Sequence, residues 1–126
     1  MHIGIDIGPV TGSRTGVGHY CYYLVKHLLE VDDACHLKAF STGLHKANVS
    51  LFGSELFHRH IPIPTRAAYM IWETFHWPHV DTLLNGVDVY HATNYFLPPT
   101  KTAKRVVTIH DLSFLAVPHL CSPKIV

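Results

Sequence analysis

Val87-Asp88-Val89-Tyr90-His91-Ala92-Thr93-Asn94-Tyr95 is a short apolar run that ends in polar residues. Two other stretches have the same form. One is Ile3-Gly4-Ile5-Asp6-Ile7, which runs through a loop rich in glycine, serine, threonine and proline into Thr15-Gly16-Val17-Gly18-His19-Tyr20. The other is Val106-Val107-Thr108-Ile109-His110-Asp111-Leu112-Ser113. Near-continuous apolar runs of this length read as strands buried on both faces, the signature of a parallel sheet. Parallel strands place their carboxyl ends on one edge, and open α/β sheets bind ligands along that edge. Glycines, two histidines, an asparagine and an aspartate are thereby gathered from positions far apart in the chain.

The segments between these runs alternate helix and strand. Residues 17–31 have helical spacing, with Val17, Cys21, Leu24, Leu28 and Val31 on one face, and Asp32-Asp33 closes the helix. Residues 37–41 and 56–61 read as further strands, the second ended by Pro62 and Pro64. Residues 67–75 are predicted helical, with Pro78 stopping or kinking the helix and 80–84 continuing toward Gly86. Alternation of this kind predicts an α/β fold: a Rossmann-like three-layer domain with a mostly parallel sheet and helices on both faces. Segments 3–7, 87–91 and 106–109 are expected as adjacent or near-adjacent central strands.

Length and composition set outer limits. A chain of 126 residues is one domain, and with 48% hydrophobic residues it builds a core without disulfides or metal. A formal net charge of +1 gives no electrostatic reason to expect nucleic acid. The basic cluster Lys101, Lys104 and Arg105 reads as a solvated approach to a strand. Cys21, Cys35 and Cys121 are odd in number and lack Cys-x-x-Cys spacing, which fits reduced thiols and a cytoplasmic location. No signal peptide and no bilayer-length apolar run is read, leaving peripheral membrane contact open. Ser122-Pro123 reads as a helix start just before the sequence stops, as in a fragment of a longer protein.

Several motifs carry chemistry. Gly16 and Gly18 stand at a predicted helix start, where backbone N–H groups and the helix dipole favour phosphate. The bland alternative is a turn that lets the chain reverse. Neither the dinucleotide Gly-x-Gly-x-x-Gly nor a P-loop is present. Ile5-Asp6-Ile7-Gly8 looks like the first phosphate motif of actin-like sugar kinases, but an amphipathic helix follows where a hairpin belongs. Twelve histidines include the pairs His58/His60 and His76/His79, yet none shows zinc-ligand spacing with a carboxylate, and no metal site is expected. The His58 stretch reads as surface. His91 and His110 differ because each ends a buried strand, where a histidine bonds ligand or moves a proton. Asp111 is placed to orient His110 or to cap the next turn.

Taken together, these residues resemble the N-terminal half of family 4 retaining glycosyltransferases of the GT-B type. The resemblance covers nearly the whole chain and rests on Thr15-Gly16-Val17-Gly18-His19-Tyr20 after the first strand, on His91-Ala92-Thr93-Asn94-Tyr95-x-x-Pro98, and on Val107-Thr108-Ile109-His110-Asp111-Leu112-Ser113-Phe114. His19 departs from the arginine often found before the tyrosine. The resemblance implies two Rossmann-like domains facing across a cleft, with residues 1–126 forming the acceptor-side domain. The donor-binding domain, with its paired glutamates and lysine, is not in this sequence. It further implies that Gly16 and Gly18 approach the donor diphosphate and sugar, and that His110 and Asp111 sit at the catalytic position. His91, Asn94 and Tyr95 would line the acceptor side, and no cofactor would be needed. The implied partners are a nucleotide-sugar donor and a glycan or lipid-linked acceptor in cell-surface polysaccharide synthesis, at the cytoplasmic face of the membrane.

Two other classes compete with this one. A non-catalytic carbohydrate- or partner-binding module of the same fold is separated by whether the reading frame continues into a second α/β domain with paired glutamates. A dinucleotide-binding domain needs an acidic residue about 20 positions past the glycine turn, and Asp32 and Asp33 come too early.

Overall fold

A computed structural model describes residues 1–10, 15–31, 36–46, 48–52 and 56–120, apart from the side chains of Leu51 and Phe114. Asp32-Asp33, Cys35, Cys121 and the helix start read at Ser122-Pro123 lie outside the described residues. Within them, β1 (His2–Asp6), β2 (His36–Thr42), β3 (Phe57–Ile61), β4 (Val89–Ala92) and β5 (Lys104–Val107) form one sheet in the order β3-β2-β1-β4-β5. Every neighbouring pair is parallel, so the expected Rossmann-like α/β architecture is present. The chain moves outward from β1 to β3, then returns to β1's other side at β4. Strand order therefore reverses between β1 and β4, which is where a crevice opens in such sheets.

Strand alternation sorts the side chains into two cores. Ile5, Leu37 and Ala39 point to one face, where α1 (Gly16–Val31) packs through Cys21 and Val25. Phe40, Tyr90 and Ala92 point to the other, where α2 (Thr65–Phe75) contributes Ala68 and Trp72, and α3 (Val80–Leu83) contributes Val80. Ala68 and Trp72 are four residues apart and so share a helix face, while Arg66, Met70 and Glu73 face outward. The helix ends where His76 turns left-handed at φ 51° and its N–H donates to the Trp72 carbonyl.

Three expectations need correction. Val31, read on the buried stripe of the first helix, is 79% exposed, since it is the helix's last residue; Val25, one turn after Cys21, is fully buried. The third central strand is an edge strand: β5 ends the sheet and starts at Lys104, and Val106 is 46% exposed. Its apolar sequence reflects a face that no described helix covers, rather than burial on both sides. The His58 stretch is surface only in part: in the edge strand β3, Phe57 and Arg59 are exposed, but His58 and His60 turn inward and are half-buried. Ser41 is fully buried and lies 2.7 Å from both His58 Nε2 and His60 Nδ1.

That cluster also fixes its own protons. The Gly43 carbonyl accepts from His60 Nε2 at 2.9 Å, so in the neutral ring His60 Nδ1 accepts from the Ser41 hydroxyl and His58 Nε2–H donates to Ser41. His58 Nδ1 is left buried without a partner. Burial, then nearby Lys46, push the His58 pKa down to about 4, which keeps the ring neutral. With no approach to the Ser41 hydroxyl, the chain of bonds ties β2 to β3 and is closed to substrate.

One glycine is demanded by packing. A Cβ built on Gly4 would lie 2.7 Å from Leu84 Cδ1 and 2.9 Å from Tyr90 Cδ2, both in the fully packed second core. Gly4→Ala is expected to destabilise the fold by about 1–3 kcal/mol through overpacking, measured as a lower midpoint in urea. An unchanged midpoint would mean that Leu84 and Tyr90 have room to move.

Candidate functional site

The carboxyl edge carries two groups of side chains, one on each face of the sheet, joined at Thr93. Thr93 follows β4 and is fully buried; its hydroxyl donates to the Asp6 carbonyl at 2.9 Å. Its own carbonyl accepts from His110 Nε2 at 2.8 Å. A carbonyl only accepts, so Nε2 carries the proton and a neutral His110 presents Nδ1 as a lone pair. The ring stands between Tyr20 of α1 and Tyr95, edge-on to both, with centroids 5.0 and 5.9 Å away.

On the α1 face, Thr108 Oγ1 lies 2.7 Å from His91 Nε2 and 3.1 Å from the Tyr20 hydroxyl. Burial lowers the His91 pKa and favours its neutral form. Gly16 and Gly18 open this side as the first turn of α1 itself, not as a loop before it. Among the described residues nothing lies within 4 Å of a Cβ built on Gly16, whereas Gly18 is buried. Gly16 stands exposed at the helix N-terminus, and packing among the described residues does not require a glycine there.

Tyr95 adopts φ 50°, a left-handed conformation that costs an aromatic residue energy. The turn is held from both sides: the Tyr95 N–H donates to the Thr108 carbonyl at 3.3 Å, and the Asp111 N–H donates to the Tyr95 hydroxyl at 3.3 Å. Asp111 itself is exposed, and its Oδ1 accepts from the Ser113 hydroxyl at 2.7 Å and the Ser113 N–H at 3.0 Å. Those two bonds hold its pKa below the usual carboxylate range. Of the two roles read for it, Asp111 takes the turn cap that starts α4 (Ser113–Ala116), with no hydrogen bond to the His110 ring.

On the α2 face, at the reversal between β1 and β4, lies a cavity of about 210 Å³. Asp6 and Gly8 from the end of β1, Thr42 from β2, Thr65, Tyr69 and Trp72 from α2, and Asn94 and Phe96 from beyond β4 line it. Asp6 keeps part of its surface toward this space, but burial dominates its electrostatics. It pushes the carboxyl pKa up to about 6, against one hydrogen bond from the Gly8 N–H at 2.8 Å that lowers it. Burial, followed by the Asp6 charge, pushes the Tyr69 hydroxyl up to about 12. Asn94 keeps a buried side-chain oxygen with no partner.

The sequence-read residues are thus brought to one edge but divided. His91, His110, Tyr95 and Gly16 belong to the α1 side, and Asn94 to the α2-side cavity. Sequence reading did not assign a role to Thr93, Thr108, Tyr20 or the aromatic wall of α2. Asp6 was read only as a kinase-like phosphate motif, although its place as the lone carboxylate ending an apolar strand was the available signal. Among the described residues no three His, Cys, Asp or Glu side chains converge on a metal-sized site, and no helix is long and apolar enough to cross a membrane. No family model, curated protein or solved structure matches the chain.

Proposed function

We propose that this domain is the acceptor-binding half of a retaining glycosyltransferase. It moves a sugar from a nucleotide-sugar donor to a glycan or lipid-linked acceptor in cell-surface polysaccharide synthesis, on the cytoplasmic side of the membrane. The observation that carries the reading is His110, fixed in one tautomer by the Thr93 carbonyl beside the strained Tyr95, at the carboxyl edge where strand order reverses. A positioned imidazole with a free lone pair suits contact with the hydroxyls of a transferring sugar. The open backbone at Gly16 admits the donor diphosphate from across a cleft, and the α2-side cavity holds part of the acceptor. The groups that grip the nucleotide and stabilise the leaving phosphate belong to a second domain.

The complete enzyme is expected to move labelled sugar from one of the common uridine- or guanosine-diphosphate sugars into a glycan or lipid acceptor. Residues 1–126 alone are expected to bind those donors no better than about 1 mM, a free energy near −4 kcal/mol, because the groups that grip the nucleotide are assigned to the second domain. Calorimetric titration checks the second statement; micromolar affinity in the isolated domain would contradict the division of labour. Failure of the complete protein to transfer any sugar would overturn the assignment as an enzyme.

A further inference from the structure

The α2-side cavity has a chemistry of its own. Its acceptors are the Asp6 carboxylate, which uses one oxygen on the Gly8 N–H, and the Asn94 side-chain oxygen, which has no partner and so gives up no hydrogen bond by turning to a ligand. Thr42 donates its hydroxyl proton to Thr65 Oγ1 at 2.9 Å, leaving the Thr65 hydroxyl free to donate onward into the same space. Among the described residues no lysine, arginine or histidine lines it. A phosphate or carboxylate entering would meet the Asp6 carboxylate, with no cation among those residues to compensate it.

A cation would meet the Asp6 carboxylate but no aromatic cage. Cation–π binding needs an open ring face, but Tyr69 and Phe96 stack on one another with centroids 3.9 Å apart and planes 16° from parallel. Trp72 lies beside this pair, 5.9 Å from Phe96 and 6.4 Å from Tyr69 at 22° and 29°, so the three near-parallel rings form one wall rather than a cage. What remains is an apolar wall opposite hydrogen-bond acceptors, in a volume of about 210 Å³, several times the space of one water molecule. Such a wall packs against the C–H groups of a ring whose hydroxyls donate to the acceptors.

We propose that this cavity binds one uncharged, hydroxyl-bearing ring, a pyranose of the acceptor, with adjacent hydroxyls donating to Asp6 and to Asn94. The proposal rests on the acceptor-side reading for its choice of a sugar. It is tested by binding without transfer, so an empty cavity and an inactive enzyme are separate failures. Electrostatics supports it: with a folded pKa near 6 and an unfolded value near 3.8, Asp6 makes the fold lose stability as pH rises from about 4 to about 6. Among the described residues Tyr69, Tyr90 and Cys21 feel its charge, and none of them supplies a positive one. The ionised carboxylate is therefore short of donors at neutral pH, and sugar hydroxyls supply them.

Methyl glucoside, galactoside and mannoside would be titrated into the isotope-labelled domain at neutral pH, with glucosamine and glucuronate as charged comparisons. At least one neutral glycoside is expected to shift the Asn94 side-chain amide and the Trp72 indole resonances, while glucuronate shifts neither. Asp6→Asn must keep its oxygen on the Gly8 N–H, so its new NH₂ faces the cavity and meets the ligand's donors. Glycoside affinity is expected to fall about tenfold or more, while the thermal midpoint at neutral pH holds or rises because a poorly solvated charge is gone. A merely structural Asp6 would lower the midpoint on substitution. Absence of shifts with every neutral glycoside at tens of millimolar, tighter binding of glucosamine than of the glycosides, or unchanged affinity in the variant would each overturn the proposal.

Discussion

Asp81→Ala is expected to destabilise the fold by about 3 kcal/mol, the scale of stranding buried donors by removing a hydrogen-bonded charge. Asp81 stands in the first turn of α3 and is only 3% exposed. Its carboxylate accepts the N–H groups of Lys101 at 2.9 Å, Thr102 at 2.8 Å and Ala103 at 3.1 Å, besides that of Thr82 at 3.1 Å. One side chain thus fixes the turn that delivers the chain into β5. Burial on its own would raise the pKa of this carboxyl, but the N–H groups of Thr102, Lys101, Ala103 and Thr82 outweigh it and hold the value at about 2. The folded value lies below the unfolded one, so the stabilisation is complete above about pH 4 and is lost as pH falls through 2. Urea unfolding of both proteins should show a wide gap at pH 7 that narrows toward pH 2. A gap that is absent at neutral pH, or constant with pH, would mean that water satisfies the turn as well as Asp81 does.

The second large effect concerns His110. If the proposed glycosyltransferase reading holds, His110→Ala in the full-length protein is expected to cut turnover by about 10²-fold, as for loss of one positioned polar or proton-transfer group. The fold should survive, because the side chain is half-exposed and, among the described residues, makes one hydrogen bond, to the Thr93 carbonyl. Circular dichroism would confirm folding, and steady-state kinetics would give the rate. Near-normal turnover would make His110 a residue that merely pins its loop between Tyr20 and Tyr95.

Much of the architecture was legible because burial imposes a simple pattern. Ile3, Ile5 and Ile7 announce a central strand, and the sheet's carboxyl edge follows from parallel pairing. The role of β5 was not legible, since Val106 and Val107 read the same whether a helix covers them or not. The status of His58 was hidden for a related reason: only the register between β2 and β3, which sets Ala39 opposite His58 and Ser41 opposite His60, brings both rings to Ser41. His110 and Asn94 were legible as strand-end polar residues. Their separation onto two faces was not, because it depends on how the chain turns at Tyr95, whose left-handed backbone has no sequence signal in a tyrosine. Asp81 carried no signal of this role: three of its four backbone partners are N–H groups 20 to 22 positions away.

The position of β5 bears on how this domain keeps company. An outermost strand offers its unpaired backbone groups to any other extended chain, and proteins discourage that traffic with charge. Here the guard is uneven. Lys104 and Arg105 stand together at the strand's beginning, both exposed, while Val106 follows uncharged and half open. Two such edges repel where their basic ends meet, so self-recognition is penalised at one end of the strand and tolerated at the other, and an acidic extended segment would meet no penalty at either.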